Sequence, residues 1–284
     1  MSLDLATPPV LRAKLRSVQA ELNYLGQVVG RPYSYVDAPP PGRPRTNIVS
    51  TPCRTAVRDL RPIAEEVSLD REGFAVARGR SAIRDFRDEE AIRRIYYPES
   101  AAILQAATGA TRAHIFDHTI RRRVPGAADR SDAPRQPVSR VHVDHTERSG
   151  PQRVRDLLPD EAEALLRGRV QVVNLWRPII GPVWDMPLAV CDARTVAPED
   201  LVPSDLIYPH RTGETYQVRH DPAHRWYWLP EMQPEEALLL KCYDSATDGR
   251  ARFSPHTAFA DPGAPPDAPP RQSIELRALL FHPA

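Results

Sequence analysis

The chain has 284 residues, of which 41% are hydrophobic and 26% are charged, and its formal net charge is +1. This composition is ordinary for a globular protein, and the near-zero charge gives no electrostatic reason to expect a nucleic-acid or membrane partner. The three cysteines, Cys53, Cys191 and Cys242, are odd in number, widely spaced and without a CxxC pattern. We therefore expect neither a disulfide framework nor a zinc ribbon.

The first segment of the chain, Met1 to Lys14, has no basic stretch followed by an apolar core of the kind that secretory signals carry. No other segment approaches the roughly 20 apolar residues that a membrane span requires. We therefore expect a soluble, unprocessed protein, and the cysteine pattern favours the reducing cytoplasm. The oligomeric state cannot be predicted from these features.

Helices are predicted where apolar residues recur at helical spacing. Asp88 to Thr108 has this spacing, with a break expected near Pro98, and Gly109 follows where a C-terminal cap would lie. The other predicted helical segments are Pro9 to Leu22, Val154 to Leu166 (with Gly168 as its stop) and Pro234 to Ala237.

Strand-like segments dominate the second half of the chain. They are Arg112 to Ile120, Arg140 to His145, Val170 to Trp176, Ala189 to Arg194, Leu206 to Pro209, Thr215 to Val218, Arg225 to Leu229, Leu238 to Tyr243, and Ser273 to Phe281. Many short strands separated by Pro- and Gly-rich turns, without regular alternation of strand and helix, predict a sandwich or a jelly-roll barrel. The fold class is therefore mainly β with flanking helices.

A candidate metal site lies in the run Val141 to Thr146. In a strand, His142 and Asp144 face one way and His145 faces the other. With the distal His256 they offer two imidazoles and one carboxylate, the ligand set of non-haem Fe(II) oxygenases. An HxD pair alone is weak evidence, because a strand histidine hydrogen-bonded to a neighbouring carboxylate satisfies both groups without a metal.

A candidate anion site follows fifteen residues after His256. Arg271 and Ser273 are two residues apart and share a strand face, so a guanidinium fork and a hydroxyl can bind one carboxylate together. A 2-oxoglutarate site needs such a pair, because the carboxylate at the far end of this co-substrate must be neutralised. Arg277 has the same strand parity and is the competing residue, with Arg271 favoured.

Three residues of one predicted strand are candidates for positioning a substrate. Asn174 and Trp176 share a face, and Arg177 points away from them. Asn174 and Trp176 either line a pocket or belong to the core. Arg177 either clamps a substrate carboxylate or pairs with Asp185 or Asp192.

Further candidates are aromatic or basic. Tyr227 offers a substrate-facing wall or barrel packing and faces opposite to the tryptophans on either side of it. Tyr243 shares a face with Lys241, so one of the two could reach the co-substrate, although a salt-bridged structural lysine is equally compatible. The run Arg121 to Arg123 is most simply a solvated strand end, with a substrate carboxylate as the alternative partner. Histidines in more exposed-looking settings are His118, His145, His210, His220 and His224.

Several blocks of sequence resemble iron- and 2-oxoglutarate-dependent oxygenases of secondary metabolism, the group related to the gibberellin desaturase and the cephamycin methoxylation protein. The most specific are NLWRP at Asn174 to Pro178 and KCYDS at Lys241 to Ser245. The other matching stretches are Gly73-Phe74, Gly109-Ala110, Phe116 to Thr119, Val141 to Thr146, Pro187 to Thr195, Arg225 to Trp228, His256 to Phe259 and Arg271 to Arg277. The resemblance covers most of the chain from about residue 50 onward.

The resemblance implies a double-stranded β-helix (jelly-roll, cupin-like) core that uses Fe(II), 2-oxoglutarate and O2, with His142, Asp144 and His256 as iron ligands. It implies a small natural-product or amino-acid-like substrate, which is hydroxylated, desaturated or oxidatively cyclised with release of succinate and CO2. We expect one oxygenase domain over 1–284, with a flanking segment containing helices to about residue 100 and the core beyond it. The alternatives are a non-oxidative cupin-type metalloenzyme and a β-barrel binding protein with a vestigial metal site.

Overall fold

The structure, a computed structural model, describes residues 15–127 and 135–283, and these form fourteen strands and three helices. The strands are β1 (Ser17–Leu25), β2 (Tyr33–Tyr35), β3 (Ser50–Asp59), β4 (Phe74–Arg78), β5 (Arg112–Arg122), β6 (His142–Val143), β7 (Val170–Pro178), β8 (Leu188–Cys191), β9 (Leu201–Ile207), β10 (Thr212–Val218), β11 (Trp226–Trp228), β12 (Glu236–Asp244), β13 (His256–Ala258) and β14 (Gln272–Phe281). The helices are α1, with consecutive segments Glu89–Ala91, Ile92–Tyr96 and Tyr97–Thr108, then α2 (Ser149–Leu157) and α3 (Ala162–Leu165). Single 3-10 turns span Arg61–Ile63, Ala193–Thr195 and Pro198–Asp200.

The strands form two sheets. The nine-stranded sheet has the order β1-β3-β11-β8-β13-β6-β10-β9-β2, and the five-stranded sheet has the order β4-β12-β7-β14-β5. From β11 to β14 the chain alternates between the two sheets, so strands that are adjacent in sequence lie in different layers. Such crossing is typical of jelly-roll folds. The prediction of a mainly β fold is confirmed.

The inner faces of the two sheets pack on each other. Trp176, Leu238 and Leu240 of the five-stranded sheet form one core cluster with Val190 and Tyr227 of the nine-stranded sheet. All nine residues of β7 and all nine of β12 are buried, because these two central strands are covered on both faces. The metal-site candidates on β6 and β13 lie in the nine-stranded sheet, which packs against these buried strands.

Helix α1 covers the outer face of the five-stranded sheet. Its apolar residues Ile92, Tyr96 and Leu104 pack with Leu175 of β7 and Leu276 of β14. The Asp88 carboxylate accepts the backbone N–H of Ala91 at one end of the helix, and Gly109 ends it in the left-handed conformation (φ 72°). The predicted break near Pro98 takes the form of the π-helical segment Ile92–Tyr96, and the helix continues through the proline.

Three other helix predictions are wrong in whole or in part. Ser17–Leu25 is a strand, whose buried residues Ala20, Leu22 and Tyr24 alternate with more exposed ones, and residues 9–14 of that prediction lie outside the described ranges. The segment predicted as one helix after Val154 is divided between α2 and α3, because Pro159 disfavours helical geometry at the residue before it. Strand β12 already begins at Glu236, where a helical turn was expected.

The first hundred residues contribute strands to both sheets. β1 and β3 extend the nine-stranded sheet, with β3 pairing in parallel with β11, and β4 pairs with β12 at an edge of the five-stranded sheet. Across 15–127 and 135–283, every helix is too short or too polar to cross a lipid bilayer. The extent of a single domain over 1–284 stays a prediction.

The contact between α1 and the sheet can be tested with Leu104, whose side chain is fully buried. We expect Leu104→Ala to lower the free energy of unfolding by about 3 kcal/mol, because it removes buried methyl groups and leaves a cavity. Chemical denaturation measures this change, with Arg94→Ala, at an exposed position of the same helix, as the control. A loss in Leu104→Ala no larger than that of Arg94→Ala would contradict the packing described above.

Candidate metal centre

Three predicted ligands converge where β6 and β13 pair. His142 and His256 are directly opposite each other in the antiparallel ladder, and Asp144 follows the end of β6. One ligand atom from each of His142, Asp144 and His256 lies within 4.8 Å of the others. The ring centroids of the two histidines are 4.5 Å apart, and His142 Nε2 is 3.4 Å from Asp144 Oδ1. This spacing is short enough for one ion to contact all three side chains.

Backbone carbonyls orient both imidazoles. The Nδ1 atom of His142 is 2.8 Å from the Arg140 carbonyl oxygen, and that of His256 is 3.1 Å from the Ser254 carbonyl oxygen. A carbonyl oxygen only accepts, so each Nδ1 carries the proton and each Nε2 presents a lone pair to the site. His256 Nε2 is buried and has no hydrogen-bond partner among the described residues. A metal ion would satisfy this nitrogen.

Charge and burial favour the protonation states that a metal needs. Burial lowers the pKa of His256, and the neighbouring His142 lowers it further, so this imidazole is neutral at neutral pH. Burial would raise the pKa of Asp144, but Arg277 and the two histidines outweigh it and hold that pKa well below its usual range. The centre therefore offers an ionised carboxylate and neutral imidazole, the forms that bind divalent metals.

Arg277 and two neighbours fix the Asp144 carboxylate from the opposite sheet. The Arg277 Nε donates to Asp144 Oδ2 at 2.9 Å, and the Asn174 amide donates to the same oxygen at 2.8 Å. Glu275 in turn accepts from Arg277 at 2.8 Å and from Asn174 at 3.1 Å. We call Asp144, Asn174, Glu275 and Arg277 the carboxylate quartet. Because Oδ2 accepts both bonds, Oδ1 is the oxygen left to face the histidines.

A narrow cavity adjoins the two histidines. Its lining consists of Arg121, Val138, His142, Trp176, Leu188, His256, Ala258, Arg271 and Glu275. Arg121 and Arg271 are buried basic residues, while Trp176, Leu188 and Ala258 supply apolar wall. The cavity thus combines a metal-binding wall with positive charge.

Arg271 is buried with its guanidinium incompletely paired. One of its terminal nitrogens donates to the Met186 carbonyl oxygen, and the guanidinium lies 5.4 Å from the centre of the Trp176 ring. No carboxylate of the described residues lies within ion-pair distance of the guanidinium, and its Nε has no partner there. Burial and the nearby Arg121 lower the Arg271 pKa to about 9. A bound anion would relieve this unfavourable charge.

Ser273 lies beside Arg271 on the inner face of the five-stranded sheet. It pairs with Arg121 of β5 and with Pro178 of β7 across the ladder. Its hydroxyl is buried and has no hydrogen-bond partner among the described residues. Arg121, the ladder partner of Ser273, lines the cavity together with Arg271, which agrees with the prediction that Arg271 and Ser273 share a strand face.

The remaining candidates divide between the site and the core. Trp176 lines the cavity, whereas Asn174 binds Asp144 instead of facing the cavity. Arg177 lies on the outer face, where it donates to the carbonyl oxygens of Gly79 and Pro234, both at 2.7 Å. It does not reach the metal centre, and it pairs with no aspartate of the described residues, so the predicted pairing with Asp185 or Asp192 is wrong. The alternative, that Arg177 clamps a substrate carboxylate, stays a prediction.

Two tyrosine candidates belong to the packed core. Tyr227 packs in the cluster between the sheets, opposite to its tryptophan neighbours as predicted. Tyr243 packs against Phe253, and its ring is so close to Gly150 that a Cβ there would lie 2.5 Å from it. Lys241 pairs with Asp70 and Asp244, the structural role considered for it. A bulge between Lys241 and Tyr243 places them opposite adjacent residues of β7, so they do not share a face.

Sequence reasoning missed Glu275 and underestimated Arg121. Glu275 has the strand parity of Ser273 and Arg277, so alternation alone contained the signal. The run Arg121 to Arg123 is not a solvated strand end, since Arg121 faces the cavity and Arg123 pairs with Asp185. His145 is also buried, and burial lowers its pKa to about 4. It lies outside the metal cluster, as strand parity predicted.

The known proteins to which the chain is similar are oxidoreductases. A family profile described as "Oxidoreductase/YMDC permease-like domain" matches residues 22–281. The hydroxylase/desaturase efuI of Hormonema carpetanum is 32% identical over 286 residues, which cover 93% of this chain and 95% of that protein. The Fe(II)/2-oxoglutarate-dependent dioxygenase nvfI of Aspergillus novofumigatus is 34% identical over 254 residues, which cover 87% of this chain and 90% of that protein.

Solved structures agree with the sequence relatives. A structure of the iron and alpha-ketoglutarate-dependent endoperoxidase NvfI superposes with a TM-score of 0.85 at 30% identity, covering 95% of this chain and all of the NvfI chain. Another structure of NvfI gives a TM-score of 0.84, also at 30% identity, and covers 94% of this chain and 99% of the NvfI chain. The jelly-roll core expected from the sequence is thereby confirmed.

The carboxylate quartet can be tested through metal affinity. We expect Arg277→Met to weaken the binding of Co(II) or Fe(II) about 10-fold to 100-fold, because the ligand carboxylate loses the donor that holds it. Anaerobic metal titration measures the affinity. Arg271→Met, which removes a guanidinium that does not touch Asp144, should leave it unchanged. Equal affinities of wild type and Arg277→Met would show that the quartet does not orient the ligand.

Proposed function

This chain belongs to the family of Fe(II)/2-oxoglutarate-dependent dioxygenases, and from that premise we propose that His142, Asp144 and His256 bind the iron and that Arg271 and Ser273 bind the far carboxylate of 2-oxoglutarate. The observation that carries the proposal is the convergence of two carbonyl-oriented imidazoles and one arginine-held carboxylate beside a cavity with unpaired positive charge. Two histidines and one carboxylate leave coordination positions open for a chelating co-substrate and for O2.

Unpartnered atoms support the fit of both ligands. His256 Nε2, the Arg271 Nε and the Ser273 hydroxyl are buried without a partner among the described residues, and buried polar atoms normally have one. Iron would satisfy the first of these atoms, and a carboxylate oxygen would satisfy the other two. An iron ion and a carboxylate, which the family's cofactor and co-substrate provide, would therefore supply partners for all three atoms.

Of the two arginines considered for the co-substrate, Arg271 is the better candidate. Arg277 already donates to Asp144, Thr119 and Glu275, so all three of its nitrogens are engaged. Within 15–127 and 135–283, Arg271 has no carboxylate partner for its guanidinium, and it stacks on the cavity residue Trp176. We assign Arg277 to orienting the iron ligand and Arg271 to binding the co-substrate.

When iron and 2-oxoglutarate are bound, they supply an oxidant made from O2, with succinate and CO2 as the co-products. The protein's own groups keep this chemistry ordered. His142 and His256 hold their Nδ1 protons on backbone carbonyls, so their Nε2 atoms stay available to the metal. Arg277 and Asn174 keep Asp144 ionised and in one orientation. Trp176 and Leu188 keep the inner cavity apolar between the polar groups.

The names of the relatives indicate the class of reaction. Their names describe hydroxylases, desaturases and an endoperoxidase, all of which oxidise a substrate carbon. We propose that this chain hydroxylates, desaturates or oxidatively cyclises a small molecule of secondary metabolism in the cytoplasm. Positioning of one C–H bond near the iron decides between these outcomes.

The assignment of Arg271 predicts a specific kinetic defect. We expect Arg271→Met to raise the KM for 2-oxoglutarate about 100-fold, because a charge-assisted interaction worth about 3 kcal/mol is lost. Ser273→Ala should raise it less, by about 10-fold, since only one neutral donor is removed. Succinate formation at varied 2-oxoglutarate concentrations measures both. An unchanged KM in Arg271→Met would assign the far carboxylate to another residue.

The iron ligands can be tested before the substrate is identified. Wild-type protein supplied with Fe(II), 2-oxoglutarate and O2 should release succinate slowly without substrate, and His256→Ala and Asp144→Ala should release none. His210→Ala, which removes a histidine from an exposed position, is the matched control and should match wild type. Wild-type rates in either ligand variant, measured by mass spectrometry of succinate, would refute the ligand set.

A further inference from the structure

A second pocket, larger than the metal-site cavity, lies on the outer face of the five-stranded sheet. We call it the outer pocket; its volume is about 640 Å³. Its lining consists of Arg80, Ser81, Ile83, Arg84, Asp85, Phe86, Arg87, Arg122, Arg177, Pro178, Ile179, Pro234, Glu235 and Gln272. None of these residues lines the metal-site cavity. The outer pocket is therefore a separate site.

Strand alternation places the outer pocket behind the co-substrate end of the cavity. Arg121 faces the cavity, and Arg122 lines the outer pocket. On β7, likewise, Trp176 lines the cavity and Arg177 lines the outer pocket. Gln272, which pairs with Arg122 across the ladder, completes the outer floor. The two pockets thus share strands but use opposite faces of one sheet.

The outer pocket has more positive charge than its own residues neutralise. Five arginines and two acidic residues line it. Both acidic residues are already paired: Asp85 with Arg87 at 2.9 Å, and Glu235 with Arg80 at 2.9 Å. The three remaining arginines, which form no ion pair within the described residues, are Arg84, Arg122 and Arg177.

Arg177 is the most informative of these three. Its side chain is only 2% exposed, and its partners are two carbonyl oxygens and the face of Tyr96, none of which carries a negative charge. Its Nε and that of Arg122 are both buried without a hydrogen-bond partner in the described residues. A buried guanidinium without a counter-charge is unfavourable, so this arrangement favours the binding of an anion.

The outer pocket also has apolar walls, which favour a ligand with an apolar part over an inorganic ion. Ile83, Phe86, Pro178, Ile179 and Pro234 provide apolar surface next to the arginines. Planar guanidinium groups match the oxygen geometry of carboxylate and phosphate. A ligand that uses the whole pocket would therefore join an oxyanion to an apolar body.

From these observations we infer that the outer pocket binds an organic anion, with its carboxylate or phosphate group among Arg84, Arg122 and Arg177 and its apolar part against Ile83 and Phe86. The site does not depend on the metal centre or on its proposed ligands. Carboxylate and phosphate groups present similar oxygens to a guanidinium, and probes that carry one group or the other distinguish the two kinds of ligand.

Calorimetric titration of the full-length protein with phenyl phosphate, benzoate and inorganic phosphate tests the inference. We expect one of the two aromatic anions to bind at millimolar concentration or below, more tightly than inorganic phosphate, and less tightly as NaCl is raised. Arg122→Gln and Arg84→Gln should each weaken this binding by about 10-fold, as expected for the loss of one charge-assisted contact. Both arginines are at least partly accessible, so the variants should fold.

Two control variants locate the binding. Arg78→Gln removes an exposed arginine of β4 that pairs with Glu65 and does not line the pocket, so it should bind as wild type does. Arg271→Met removes a guanidinium that lines the metal-site cavity and not the outer pocket, and it too should leave binding to the outer pocket unchanged. Failure of wild type to bind either aromatic anion would overturn the inference. Binding that survives in Arg122→Gln and Arg84→Gln but is lost in Arg271→Met would also overturn it, because the anion would then occupy the cavity.

Discussion

The ion pair between Arg277 and Asp144 joins the two sheets at the metal centre. Arg277 lies on β14 of the five-stranded sheet, whereas Asp144 follows β6 of the nine-stranded sheet, and their contact is 2.9 Å. Burial raises the pKa of the Asp144 carboxyl, and this guanidinium is the largest of the influences that oppose burial and lower that pKa. The same contact fixes which carboxylate oxygen faces the histidines. The orientation and the charge of this carboxylate thus depend on a contact between the two sheets.

Strand alternation then distributes the remaining chemistry. Inward residues of β14 provide Ser273, Glu275 and Arg277, while the outward residues between them pack on α1 or line the outer pocket. Helix α1 packs on the part of the outer face that includes Leu175 and Leu276, and the outer pocket occupies another part. The result is a sheet with two distinct faces. One borders the cavity beside His142 and His256, where we propose that the metal and the co-substrate bind, and the other carries the basic outer pocket.

Part of this arrangement could be predicted from sequence, since it depends on period-two alternation. Alternation grouped His142 with Asp144, separated His145 from them, and put Arg271 on the face of Ser273. It failed at Lys241 and Tyr243, where a bulge changes the parity, and bulges leave little trace in a sequence. The sequence favoured Arg271 over Arg277, but the contact of Arg277 with Asp144 was inaccessible because it joins residues of different sheets. Strand β1 was missed although Ala20, Leu22 and Tyr24 alternate as a strand requires.

Visible absorption of the anaerobic protein, loaded with Fe(II) and titrated with 2-oxoglutarate, tests most directly whether His142, Asp144 and His256 hold an iron that the co-substrate chelates. We predict a weak charge-transfer band that grows to saturation with one equivalent of bound 2-oxoglutarate and is absent when Asp144 is replaced by alanine. Fully iron-loaded wild-type protein that develops no band would contradict the assignment of this cluster as the oxygenase centre.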